Sequence, residues 1–299
     1  MNHAIDRRHF LRAAGALGAT VTVSGLTPSL VSAEPVRLSS PKAEKLGWRL
    51  SCSLYTFRSV TCYEALDKIA ALGIRGIEPA FFLALSKDQP GLKTSETLSP
   101  ELRQQLRRKL DERGMRMVNF YANVTDNQEE NRKVFQFAKE MNVETIVAEP
   151  PAQAFDGIEK LCDEFQINLA VHNHPKSPKY QNWNPDNVLQ LCQGRGKRIG
   201  ACCDTGHWVR SGLDPVECLK KMAGRIITVH LKDVIESGNP AARDVPLGTG
   251  KANYAAVLKE LRRQGFQGAM SIEYEHESPQ LMNDVAQCVA FVEQTVAAW

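Results

Sequence analysis

The stretch RIGACCDTGHW (198–208) decides the fold. An apolar run ends in an acid, Asp204, and a histidine follows three residues later at His207. The next segment, DPVECLKKMAG (214–224), carries helical spacing. A strand ending in a carboxylate, an imidazole in the loop behind it and then a helix make one βα unit with its chemistry at the strand's C-terminal end. Other runs end alike: TIVAEP (145–150) places Glu149, TVHLKD (228–233) places His230, and SIEYEH (271–276) places Glu273.

Outward from that stretch, short apolar runs alternate with helical patterns from Leu46 to the end of the chain. Strands are expected at 48–57, 74–80, 115–124, 143–150, 167–175, 198–203, 225–234 and 268–276. Thr61 and Gly73 bound one intervening helix, and Ser99–Pro100 and Gly114 bound another. Eight βα units in order, with no glycine-rich first turn, predict a single α/β domain, a (β/α)8 barrel. Side chains two apart on a strand share a face, and strand C-termini in a barrel converge on one mouth. Glu149, His172 or His174, Asp204, His230 and Glu273 are therefore expected to meet there.

Carboxylates and imidazoles without thiolates suit one divalent cation, Mn, Co, Zn or Mg. Lys232 shares a face with His230, and Glu275 with Glu273. Lys232 either stabilises charge on a substrate oxygen or lies along the barrel rim with its ammonium in water. A base poised near neutrality is sought among Glu149, His174, His207 and Glu275. Tyr55, Phe57 and Trp183 either stack on a sugar ring or simply pack.

The first residues are set apart from the fold. IDRRHFLRAAGALGATVTVSG (5–25) has twin arginines, Arg7 and Arg8, before a weakly apolar stretch, and VSA (31–33) offers a cleavage site. This pattern predicts residues 1–33 as a twin-arginine export signal, a periplasmic destination, and residues 34–299 as the barrel domain. The leader holds Asp6, Arg7, Arg8 and Arg12, so its removal lowers the net charge from +3 to +1. A body so close to neutral argues against nucleic acid as a partner, and no later run is long and apolar enough for membrane insertion. The eight cysteines show no CxxC spacing and mostly fall inside expected strands or helices, so free buried thiols are expected. Adjacent Cys202 and Cys203 should point to opposite faces of their strand.

TVHLKD, the LGTG turn (247–250) followed by NYAAVLKELRRQGFQG (253–268), SIEYE and CCDTGHW together resemble the xylose-isomerase-like TIM-barrel sugar isomerase/epimerase superfamily, in its inosose-dehydratase-like branch. The resemblance implies that Asp204, His230 and Glu273 ligate a divalent metal and that His207 contacts substrate or metal. It also shows a departure. Where many members carry a metal-binding Glu on strand five, in a run like LALENH, this chain has LAVHNH (169–174), with His172 in that place. The implied metal set is then Glu149, His172, Asp204, His230 and Glu273, with Glu149 supplying the missing charge. The implied catalytic set is Glu149, His174, His207, Lys232 and Glu273, with Tyr55, Trp183, Lys232 and Glu275 binding substrate.

The expected function is a metal-dependent enzyme acting on a small sugar or keto-sugar through a metal-stabilised enediolate. That makes it an isomerase or epimerase, or a keto-sugar lyase or hydratase. Loss of the strand-five Glu as a second base tilts the expectation towards the lyase. A non-catalytic sugar-binding barrel is one alternative. A metal-dependent apurinic-site endonuclease is another, disfavoured because the ends of strands two and three, GIEPA and FYANV, hold no histidine. The oligomeric state, a homo-oligomer included, is left open. Replacing Arg7 and Arg8 together by lysine is expected to retain the protein in the cytoplasm, as cell fractionation would record.

Overall fold

The computed structural model describes residues 40–299; the leader signal read from Arg7 and Arg8 lies outside the described residues. Eight strands run parallel: β1 (Trp48–Ser53), β2 (Gly76–Glu78), β3 in two pieces (Arg116–Met117 and Asn119–Tyr121), β4 (Thr145–Ala148), β5 (Asn168–His172), β6 (Ile199–Asp204), β7 (Ile226–Leu231) and β8 (Gly268–Ile272). Each pairs with its sequence neighbours, and β1 pairs with β8 as well as β2. Val118 bridges the two pieces of β3: its N–H donates to Ile77 O at 3.1 Å, and its carbonyl accepts from Glu144 N–H at 3.0 Å. Val118 thereby closes the barrel.

The helices follow the sequence signals. A short α1 (Pro41–Lys45), not expected from the sequence, precedes β1. Then come α2 (Cys62–Ala71), α3 (Pro100–Asp111), α4 (Gln128–Glu140), α5 (Phe155–Phe165), α6 (Pro185–Cys192), α7 (Thr205–Arg210), α8 (Pro215–Lys221), α9 (Tyr254–Arg263) and α10 (Leu281–Ala297). Ser99 Oγ accepts Leu102 N–H at the start of α3, and Asn127 and Asp214 cap α4 and α8 in the same way. The expected loop after β6 is instead the single short helix α7. Asp204 is its N-cap and accepts His207 N–H at 2.8 Å, so the strand-end acid also starts a helix. Strand one is shorter than the sequence suggests, because Leu54–Phe57 turn into a 3-10 helix.

All eight cysteines are free and buried. Cys203 joins the large core between barrel and helices, whereas Cys202 packs with Val147 and Ala170 inside the barrel, so the two do face opposite ways. A register shift between Ala201 and Cys202 sets Asp204 opposite His230 across the β6–β7 pair. Such bulges re-aim side chains next to functional sites.

Beyond β7, residues Asp233–Val234 pair antiparallel with Asp244–Val245 in a small ribbon. The Asp233 carboxylate accepts four backbone N–H groups, from Val234, Gly248, Gly250 and Ala252, at 2.9–3.0 Å. Gly250 is required there, since a Cβ would lie 2.3 Å from Asp233 Oδ1. Asp233→Ala would strip a buried acceptor from amides of this turn, each costing about 1–3 kcal/mol when left unpaired. A loss of roughly 3 kcal/mol or more is expected on urea unfolding. Thr249→Ala, on the exposed tip, should change stability by less than about 1 kcal/mol.

Candidate active site

Every strand delivers a side chain to the barrel mouth or, as with Glu78, just beneath it. Ser53 comes from β1, Glu78 from β2, Tyr121 from β3, Glu149 from just past β4, His172 from β5, Asp204 from β6, His230 from β7 and Glu273 from just past β8. Above them lies a cavity of about 390 Å3, whose walls include Tyr55, Phe82, Tyr121, His174, Arg210 and Glu275.

Three buried atoms at the floor have no hydrogen-bond partner among the described residues: His172 Nε2, Asp204 Oδ2 and His230 Nδ1. They face one another. Asp204 Oδ2 is 3.7 Å from His172 Nε2 and 3.7 Å from His230 Nδ1, and Glu273 Oε2 is 3.3 Å from His230 Nδ1. Leaving one such atom unpaired costs about 1–3 kcal/mol, so their convergence asks for a shared cation. Two imidazole nitrogens with two carboxylate oxygens suit the borderline-to-hard divalent ions. His172, Asp204, His207 and Glu273 offer ligand atoms within 4.8 Å of one another. Glu149 falls in a different grouping, with His172 and His174.

Lys232 overturns the rim alternative. Its ammonium is buried, 2.9 Å from Asp204 Oδ2, 2.7 Å from Glu273 Oε2 and 2.9 Å from Glu275 Oε1. The approach to Asp204 Oδ2 is an ion pair whose angle makes no hydrogen bond. Burial opposes the charge on Lys232, yet Asp204, Glu273 and Glu275 raise its pKa well above the ordinary value. Burial would likewise raise the Glu275 carboxyl, but the Lys232 ammonium and the His207 ring hold it down to about 2. Burial keeps His207 well below the usual imidazole range. Arg210 Nη1 donates to His207 Nδ1 at 3.2 Å and pairs with Glu275 at 2.5 Å, while Nη2 pairs with Asp244 at 2.5 Å.

Across the cavity stands a second group. Glu149 Oε1 lies 2.7 Å from His174 Nε2 and 3.3 Å from His172 Nδ1, and accepts the Tyr121 hydroxyl at 2.6 Å. Burial opposes ionisation of Glu149, but the hydrogen bonds from His172 and His174 outweigh it and hold the carboxyl below its usual range.

Two of the three aromatic residues weighed for stacking lie away from the cavity wall. Phe57 is buried in the core, because the chain leaves β1 as a 3-10 turn. Trp183 is not part of the cavity wall; its ring lies under the Lys176 ammonium, 4.6 Å away, in the loop before α6. Tyr55 does line the cavity, where its ring meets Phe82 edge-on. Sequence reasoning passes over Glu78, Tyr121 and Arg210. A signal existed for Glu78, an acid just before a proline at a strand end, but none for Arg210, which reads as an ordinary helix-end cation.

The chain belongs to the xylose isomerase-like TIM barrel family, which matches residues 66–292. It is 33% identical over 153 residues to an inosose dehydratase of Clostridium botulinum, covering 46% of this chain and 50% of that protein. It is 30% identical over 131 residues to the rhizopine catabolism protein MocC of Rhizobium meliloti, covering 39% of each. The chain spans half or less of the length of these curated relatives. A crystal structure of an uncharacterized protein from Parabacteroides distasonis superposes with a TM-score of 0.66 at 31% identity, covering 83% of this chain and 99% of that one.

Lys232→Met would leave three carboxylates without their shared cation. Removing one member of a buried ion pair costs about 3–5 kcal/mol, and a loss of that order is expected on thermal unfolding. Because the Lys232 pKa is raised in the folded state, its contribution is fully present below the unfolded value of about 10.4 and is lost only at higher pH. The difference between wild type and variant should therefore stay constant from about pH 6 to pH 9.

Proposed function

We propose that the chain is a divalent-metal-dependent keto-sugar lyase of the dehydratase kind. The observation that carries this reading is one cavity with two unlike sides: on one, His172 Nε2 and His230 Nδ1 each 3.7 Å from Asp204 Oδ2, with Glu273 Oε2 3.3 Å from His230 Nδ1; on the other, a His174 imidazole backed by Glu149. A bound divalent ion would polarise a carbonyl and make the neighbouring C–H more acidic. His172, Asp204 and Glu273 would hold it, with His207 in the same grouping and His230 Nδ1 facing Asp204 and Glu273 from 3.7 and 3.3 Å.

His174 is 40% exposed, lines the cavity and is oriented through Nε2 by the Glu149 carboxylate. That contact leaves Nδ1 as its basic nitrogen. Nδ1 takes the proton beside the carbonyl and returns it to the hydroxyl on the next carbon, which leaves as water. The C–H electron pair becomes the new C=C bond, so the step needs no oxidant. Inversion at carbon would need a second base on the opposite face. Glu275, which also lines the cavity, is a weak base, with its carboxyl held at about 2 by the Lys232 ammonium. The cavity's Arg210 and the Lys232 ammonium at its floor are already paired with carboxylates, which favours an uncharged substrate over a sugar phosphate. The inosose dehydratase relative supports elimination, and the strand-five His172 supports it too. Export to the periplasm by the twin-arginine route belongs to the same proposal and rests on Arg7 and Arg8.

The test supplies keto-inositols, 3-keto-glycosides and free ketoses with each of Mn, Co, Zn and Mg in heavy water, and reads products by NMR. An unsaturated keto product with loss of water or aglycone is expected. His174→Ala should lower kcat by about a hundredfold or more, and Asp204→Asn should empty the protein of metal. An inverted ketose carrying solvent deuterium, with no unsaturated product, would make the chain an epimerase instead.

A further inference from the structure

We propose that Glu78 is a positioning residue that keeps the Nε2 of His230 protonated, so that Nδ1 turns its lone pair towards the divalent-cation donors Asp204 and Glu273. The assignment rests on the metal reading above but concerns a residue that touches neither cavity nor cation.

Glu78 and His230 are both fully buried, and Glu78 Oε1 lies 2.7 Å from His230 Nε2. An ionised carboxylate can only accept, so Nε2 must supply the proton. The carboxylate cannot turn away, because its other oxygen is fixed from two strands. Oε2 accepts Asn119 Nδ2 at 2.8 Å and Ser271 Oγ at 2.9 Å. Those donors are themselves anchored. Asn119 Nδ2 also donates to Thr228 Oγ1 at 2.9 Å, Thr228 Oγ1 donates to Ala269 O at 2.8 Å, and Ser271 Oγ meets Ser51 Oγ at 2.8 Å. The network ties β1, β2, β3, β7 and β8 together beneath the mouth.

With one ring nitrogen committed, the other is defined. His230 Nδ1 has no hydrogen bond and faces Glu273 Oε2 at 3.3 Å and Asp204 Oδ2 at 3.7 Å. Ring orientation and tautomer of a metal-binding histidine are commonly set by such a carboxylate behind it, and losing that partner typically costs ten- to a hundredfold in metal affinity. A Glu78 that served only as a packing group would not govern which nitrogen carries the proton.

Glu78→Gln is the test, because its amide can present an N–H to the ring and reverse the tautomer. Ser271→Ala is the comparison, since it loosens the same network without removing a hydrogen bond to the His230 ring. Isothermal titration with Zn and Mn should show Glu78→Gln weakened about ten- to a hundredfold and Ser271→Ala within about threefold of wild type. Nitrogen-15 NMR of the histidine rings, with and without zinc, should show His230 Nε2 protonated in wild type in both states, with only Nδ1 shifting on zinc addition. A bare Nε2 in wild type overturns the proposal, as does wild-type affinity in a folded Glu78→Gln. Should Glu78→Gln fail to fold, Glu78→Asp pulls the carboxylate back from the ring. An intermediate affinity is then expected, and an unchanged one overturns the assignment. A wild type that takes up no divalent ion sinks the metal reading, whereas a bare Nε2 sinks the Glu78 assignment alone.

Discussion

The mouth of this barrel depends on a single buried ammonium. Bringing Lys232 and its carboxylates out of water costs several kcal/mol per ion, and the contacts to Asp204, Glu273 and Glu275 must repay it. One ammonium does not balance three carboxylates. Arg210 compensates at the outer side by pairing with Glu275, which leaves the residual negative charge at Asp204 and Glu273. That is where the unpaired nitrogens of His172 and His230 point. The backbone is built to hold the lysine. Its N–H lies 2.5 Å from the Tyr254 hydroxyl, its carbonyl accepts Thr205 Oγ1 at 3.1 Å, and a Cβ on Gly206 would stand 2.4 Å from its Cγ. Glycine follows Thr205 because the lysine stem passes there.

The HLKD and LGTG motifs divide between chemistry and architecture. In HLKD, His230 and Lys232 face the site, but Asp233 turns away and holds the LGTG turn by the Gly248 and Gly250 amides, with those of Val234 and Ala252 on either side. The LGTG turn therefore carries no chemistry. It fixes the segment between β7 and α9, whose Pro240 and Ala241 form part of the cavity wall. Its glycines are needed because the backbone crowds the Asp233 carboxylate and the Phe291 ring.

The barrel was legible from periodicity because each βα unit carries its own caps and stops, and such signals are local. The strand-end residues were legible for the same reason: a two-residue period and a common mouth place Glu149, His172, Asp204, His230 and Glu273 together without a coordinate. What escaped was set by contacts between distant segments. Whether Trp183 or Tyr121 meets the cavity depends on where a proline-rich loop lies and how β3 bends at Val118, and no local pattern records either. The short helix after Asp204 escaped because TGHWVR has no helical period of its own. It forms because the Asp204 carboxylate caps it. Lys232 looked equally suited to a rim, since its burial follows from three carboxylates on two other strands.

The interior beneath the mouth shows what holding such a site costs. Barrel interiors are ordinarily filled with branched apolar side chains. Here the buried apolar cluster is small: Val147, Ala170 and Cys202, on β4, β5 and β6, with Tyr121 and Ile227 packed against it. The remaining strands contribute Ser51, Glu78, Asn119, Thr228 and Ser271, all buried and joined by hydrogen bonds, with Asn119 Oδ1 left unsatisfied. Apolar side chains of similar volume would stabilise that half by removing desolvation costs. They could not fix an imidazole, because ring orientation needs an acceptor at a defined place. The polar half lies under His230 and Glu273, where direction matters. The apolar half lies under Glu149, His172 and Asp204; Tyr121 and His174 orient the Glu149 carboxylate, while Asn173 holds the Asp204 backbone and the His207 N–H holds its carboxylate. The boundary of the interior thus runs through the donor group itself, with the polar network beneath His230 and Glu273.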